Sequence, residues 1–180
     1  MKRYLGWLPI TLAALAVFRA LVSGAETNVW GAATNKFQIS ICTKGGEKHF
    51  KSNEAVTLLI RLRNLSATET FVFYRANAAE RSPDFSYTVI APSGKDVSPP
   101  RPFGYHGSGT TVDIRPRDSE EMQVNVSKLC TLGEIGTYKI IVRHWPSRWP
   151  VRGDKPLELF EAVSNPLYVC IGPGQKGVAQ

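Results

Sequence analysis

The chain has 180 residues, with 22 Lys and Arg against 15 Asp and Glu, for a formal net charge of +7. That length allows one domain with a real hydrophobic core. The charge is that of an ordinary solvated basic surface; with no RNA- or DNA-binding motif beside it, nucleic-acid recognition is set aside.

The first residues read as an export signal. Met1-Lys2-Arg3 supply a short positive start, an apolar run follows from Leu5 to Phe18, and Ser23-Gly24-Ala25 offers small residues for a signal peptidase. The run is short for a membrane span and no second one follows, so no stable span is expected after cleavage. Residues 1–25 are therefore assigned to a signal peptide. Arg19 sits late for a cleaved signal, which leaves an uncleaved anchor as the alternative. Lys2, Arg3 and Arg19 depart with the signal, so the charge falls from +7 to +4. The expected location is secreted or periplasmic.

Residues 26–36 read as a flexible leader. Phe37 to Ile41 alternates as a first strand. Gly45-Gly46 and Ser52-Asn53 punctuate the connection to a second, in which Val56, Leu58, Ile60 and Leu62 share an apolar face opposite Thr57, Arg61 and Arg63. Thr70 to Tyr74 and Phe85 to Ile90 follow, the latter ended by the turn Pro92-Ser93-Gly94-Lys95. Ser98 to Gly109 is rich in Pro and Gly and is expected as a loop. Val112 to Ile114 reads as a brief edge strand, and Met122, Val124 and Val126 alternate in the next.

At Gly136-Thr137-Tyr138 a turn delivers a Tyr into a strand with Tyr138, Ile140 and Val142 on one face and Lys139, Ile141 and Arg143 on the other. Ig-like sandwiches place their tyrosine corner at such an entry. Leu167, Val169 and Ile171 make the last strand, and residues 172–180 read as a flexible tail. Seven to eight short strands, turn residues between them and no helix after the signal predict an all-β, Ig-like β-sandwich over 37–171, antiparallel with Greek-key connections.

The order of these segments carries a resemblance. Val-Thr-Leu-x-Ile-x-Leu-x-Asn, Phe-Ser-Tyr-x-Val-x-x-Pro-x-Gly-Lys, Gly-Thr-Tyr-x-Ile and Ser-Asn-Pro-Leu-x-Val resemble bacterial exported Ig-like domains. They are similar to the BsuPI-type proteinase-inhibitor domain and its secreted relatives. The resemblance covers most of Phe37–Ile171. It implies the fold; the matched residues are turn and core positions, and it brings no set of catalytic residues. Inhibitory activity belongs to one branch, and no inhibitory loop signature occurs here.

Cys42, Cys130 and Cys170 form an odd set. In an Ig-like order the first and last strands end near Cys42 and Cys170, and the connection holding Cys130 lies at the same end. Topology thus sends all three thiols toward one pole. Alternation with Ile41, Val169 and Ile171 turns Cys42 and Cys170 outward. One disulfide stapling that pole is the plain expectation after export, with the pair left open. A spare thiol could join a second chain in a disulfide-linked dimer. A metal site of the three Cys with His49 has suitable ligand types but scattered spacing, so no metal is assigned.

The segment His144-Trp145-Pro146-Ser147-Arg148-Trp149-Pro150-Val151-Arg152-Gly153-Asp154-Lys155 has the composition of a recognition surface. Trp rings give rigid contact area at low entropy cost, and Pro stiffens the loop. Trp145, Arg148, Trp149, Arg152 and Asp154 are the candidate binding residues. The competing reading folds both Trp rings onto the sandwich with Arg148 stacked between them. Arg152-Gly153-Asp154 matches an integrin-ligand triplet of fibronectin-type sandwiches, but a plain turn is the preferred reading.

No catalytic residues are assigned. His106 and Ser108 sit two apart within a Gly-rich loop, too local to orient a base onto a nucleophile. No nucleophile elbow, zinc-protease helix motif or phosphate loop occurs. Asp113, Asp118, Glu120 and Glu121 read as a solvated turn and strand start. Asn64-Leu65-Ser66 and Asn125-Val126-Ser127 match the N-glycosylation pattern.

The expectation is a non-enzymatic binding or accessory module without cofactors, recognising a protein or glycan partner through the aromatic, basic loop. A BsuPI-type proteinase inhibitor and a structural or assembly subunit of an envelope complex are the alternatives.

Overall fold

The structure, a computed structural model, describes residues 29–76, 82–100, 108–148 and 160–174. The expected signal segment, the end of the tail, most of the Pro/Gly-rich loop and the segment 149–159 lie outside the described residues. The chain forms an all-β sandwich. In order, its strands are β1 (Phe37–Thr43), β2 (His49–Lys51), β3 (Thr57–Asn64), β4 (Phe71–Ala76), β5 (Phe85–Ile90), β6 (Gly109–Ile114), β7 (Ser119–Asn125), β8 (Gly136–His144), β9 (Ser147–Arg148), β10 (Ala162–Val163) and β11 (Leu167–Gly172).

The eleven among the described residues exceed the seven to eight expected from alternation. The additional ones are β2, β9 and β10, which have two or three residues and so cannot display a period. One pairing also departs from the antiparallel expectation. β2 runs parallel to β11, with Cys170 opposite His49 and Ile171 opposite Phe50.

One sheet has the order β1-β3-β7. A second is centred on β8, with β5 along one side and β10 and β11 in succession along the other. A third, β6-β4-β9, turns Phe71, Phe73 and Ile114 into the core. Strands far apart in sequence pair, β3 with β7 and β5 with β8, as Greek-key connections require.

The core forms where period-two faces meet. Ile39, Ile41, Leu58, Ile60, Leu62, Met122 and Val124 from the first sheet pack toward Tyr87, Val89, Tyr138, Ile140, Val142, Val169 and Ile171 from the second. Burying each large aliphatic side chain stabilises the fold by about 1.5–3 kcal/mol. Tyr138 closes one end: its hydroxyl accepts the Glu134 N–H at 2.7 Å, the corner bond expected of this Tyr. Gly136, just before it, has φ +132°, and a Cβ there would lie 2.8 Å from Pro92 Cβ. Only glycine fits this turn without strain.

The expected loose leader is laid against β1 from Val29 onward. Gly31 N–H donates to the Ile39 carbonyl at 2.8 Å, and Ser40 Oγ donates to the Val29 carbonyl at 2.7 Å. A Cβ on Gly31 would fall 2.1 Å from the Val163 carbonyl oxygen, so the chain passes here only as glycine.

Candidate functional site

The aromatic, basic segment begins where β8 ends. Inward parity continues past Tyr138, Ile140 and Val142 to His144, which is fully buried. Trp145 then turns to the surface and is half-buried, while Pro146 is buried. The Trp145 N–H donates to the Asp84 carbonyl at 3.0 Å. Ser147 and Arg148 form β9, pairing in register with Val72 and Phe71 of β4. Trp145 and Arg148 therefore belong to a stem held by β4 and β5, not to an open loop. The other candidates, Trp149, Arg152 and Asp154, lie outside the described residues, as does His106.

Asp84 organises this stem. Its carbonyl accepts from Trp145 N and lies 2.9 Å from His144 Nδ1. Its carboxylate Oδ2 accepts the Tyr74 N–H at 2.6 Å, and Ser82 Oγ donates to the Tyr74 carbonyl. Alternation along β8 was a usable signal for His144 as a core position, since the residue continues the inward set.

The His144 ring stacks on Phe85, with centroids 4.2 Å apart and an interplanar angle of 18°. Phe73 meets it edge-on at 5.4 Å, and Phe37 lies at 5.7 Å. Phe71 and Phe160 extend the cluster through Phe37. Loss of water around the ring lowers the His144 pKa to about 3, against a smaller upward pull from the Asp84 carbonyl. The imidazole is neutral at ordinary pH.

The cysteines lie toward the opposite pole, on three different surfaces. Cys42 points outward from the first sheet and Cys170 outward from the second, both half-buried. Cys130 follows the 3-10 turn at Val126–Lys128 and packs against the core. No disulfide joins them. The outward parity is as expected, but β1 and β11 sit in different sheets, and the neighbours of β11 are β8 and β2. Burial pushes the Cys130 thiol up to about 11. His49 stands beside Cys170 in the register, yet among the described residues no group of three or more His, Cys, Asp or Glu gathers to hold a metal ion.

One aromatic–cation pair was not legible in the sequence. The Arg63 guanidinium lies 4.2 Å over the Trp30 ring, and its Nη2 donates to Gln38 Oε1 at 2.6 Å. Trp30 falls in the segment read as leader, where no periodicity points to a contact. The neighbouring row holds the Arg61–Glu121 ion pair at 2.8 Å.

Among solved structures, the chain is similar to a Northeast Structural Genomics Consortium target determined by X-ray crystallography. The identity is 15% and the TM-score 0.44, over 83% of this chain and 94% of that one. It is also similar to a β-glucosidase from Listeria innocua crystallised in complex with gluconolactone, at 10% identity and a TM-score of 0.35, over 74% of this chain and 17% of that one. No family model and no curated protein matches the chain.

Proposed function

We propose that this chain is an exported, non-enzymatic binding or accessory module that recognises a protein or glycan through the surface beginning at Trp145. The observation supporting this reading is the fixed stem. The Trp145 amide is held by Asp84 and β9 is paired to β4, so a half-exposed Trp is carried on a rigid scaffold. Recognition surfaces gain affinity from such preorganisation, because less side-chain and backbone freedom is lost on binding. Trp149, Arg152 and Asp154, the other candidates, follow within nine residues in the sequence.

The test is capture of partners from the native extract and from a glycan array by the secreted chain. Trp145→Ala and Trp149→Ala should each weaken capture at least tenfold, as aromatic anchors do. Undiminished capture by both variants would remove this surface from consideration. Inhibition of a protease panel by the same protein would favour the inhibitor reading instead.

A further inference from the structure

We propose that Val29–Thr34 is an exchangeable strap: two copies of this chain trade it, each strap seating on the β1 of the other copy as the turn at Asn35 and Lys36 straightens.

The strap is gripped by the body of the domain. Thr34 and Phe37 share two backbone hydrogen bonds, of 2.9 and 2.8 Å. Gly31 N–H donates to the Ile39 carbonyl, and the Gly31 carbonyl accepts Gln38 Nε2 at 3.2 Å. Ser40 Oγ donates to the Val29 carbonyl, and the Trp30 ring lies under the Arg63 guanidinium. At Gly31 the strap passes close to the Val163 carbonyl, where no Cβ fits. A second copy presents the same partners, so whatever holds the strap in one copy holds it in the other. The number of grips then sets how slowly the strap opens, not where the equilibrium lies. That is decided by the hinge, against the entropy lost in joining two chains.

The hinge carries strain that straightening removes. Asn35 has φ +47° and Lys36 has φ +65°. A two-residue hairpin turn needs positive φ at both central positions, and Asn-Gly supplies it best. Asn enters this region with little penalty. At Lys36 a side chain stands where glycine belongs, and its Cβ crowds the backbone. Extended backbone returns both residues to negative φ, once in each chain. Short hinges under strain are the ones that favour exchange.

The pivot is also well placed. Leu65 N–H donates to the Lys36 carbonyl at 2.7 Å, and Lys36 Nζ lies 3.6 Å from Glu69 Oε2. Rotation about Asn35 and about the φ of Lys36 swings the strap while both contacts stay. Straightened, the six strap residues run on from the hinge for about 20 Å, long enough to lie along a second β1. The chain's own strap competes at an effective concentration in the millimolar range, so wild-type dimer should appear as the protein approaches about 1 mM.

The test is sedimentation equilibrium of the secreted chain up to about 1 mM, with reductant present throughout. Lys36→Gly, which makes the turn Asn-Gly, should weaken dimerisation at least about tenfold. Asn35→Val puts a β-branched residue at positive φ and should strengthen it by a similar factor. Adding Gly31→Ala to Asn35→Val denies the strap its seat on either copy and should abolish the dimer. Should that double variant fail to fold, Trp30→Ala in the same background replaces it and should weaken the dimer. Monomer at every concentration for Asn35→Val would overturn the exchange. So would a dimer indifferent to Lys36→Gly, or one undiminished when the seat is removed.

Discussion

Asn165 takes both backbone hydrogen bonds of Ile41. Its Oδ1 accepts the Ile41 N–H at 2.9 Å, and its Nδ2 donates to the Ile41 carbonyl at 3.1 Å. A side-chain amide has the same donor and acceptor as a peptide, so one residue acts as a strand beside the edge of β1. Asn165 lies in the break between β10 and β11, where Ser164 Oγ accepts the Val142 N–H at 3.0 Å and donates to the Asn165 carbonyl at 2.8 Å. The interruption in the second sheet therefore ties down the edge of the first. Together with the Gly31 amide on Ile39, it leaves little of that edge open to another chain.

Asn165→Ala should accordingly destabilise the protein by about 2–4 kcal/mol, since it strands a buried N–H and a buried C=O together. Asn165→Asp keeps an acceptor but loses the donor and places a carboxylate by the Ile41 carbonyl, so it should be no milder. Urea denaturation gives the answer, with the m-value expected to stay constant. A loss below about 0.5 kcal/mol for both variants would mean that water replaces the amide.

The corner bond at Tyr138 is a smaller matter. Tyr138→Phe removes the acceptor of the Glu134 N–H and leaves the buried ring in place. A cost of about 1 kcal/mol is expected. Partner capture by the Trp145 surface should be unchanged, because the corner lies at the other end of β8. Reduced capture without loss of stability would contradict that division of the molecule.

The residues that declared themselves in the sequence are those facing a core from a strand long enough to alternate. Tyr138, Ile140 and Val142 are visible in this way, and so is the turn at Gly94, whose φ is +84°. Residues whose role depends on a partner far along the chain were not visible. Asn165 and Ile41 are 124 positions apart, and Arg63 meets Trp30 across a segment without pattern. At the candidate site, composition identified Trp145 and Arg148. It did not show that the Asp84 carbonyl, from another strand entry, holds the Trp145 amide, or that Arg148 pairs with Phe71.

Asn64 illustrates how structure overrules a motif. It matches an N-glycosylation triplet, yet it is buried, and its Nδ2 donates to the carbonyls of Glu69 at 2.7 Å and of Ile114 and Arg115 at 3.0 Å. Its Oδ1 accepts the Ser66 N–H at 2.8 Å. Expression in a glycosylating host should yield folded protein with Asn64 unmodified, as read by peptide mass spectrometry. Asn64→Ala should cost about 3 kcal/mol, because several carbonyls and an amide lose their partner at once.

Stability should fall in acid through His144. Its folded pKa of about 3 lies below the unfolded value near 6.5, so the unfolded chain binds the proton first. The contribution is complete above pH 6.5 and is lost as the pH drops toward 3, reaching on the order of 4 kcal/mol there. Denaturation of the wild type and of His144→Phe across this range should give curves that converge in acid. Parallel curves would place the acid sensitivity in carboxylates instead.

The three thiols should remain unbridged within the chain. Cys42 points outward from the first sheet and Cys170 outward from the second, and no disulfide joins any of the three. Cys130 is packed against the core with its thiol pushed up to about 11, so little thiolate is present near neutral pH. Non-reduced and reduced protein should therefore have the same monomer mass, and all three cysteines should alkylate after unfolding without prior reduction. In the folded state at pH 8, Cys130 should react slowest, by at least about tenfold relative to Cys170. A two-dalton deficit in the non-reduced monomer would show that a pair does close, and peptide mapping would then name it.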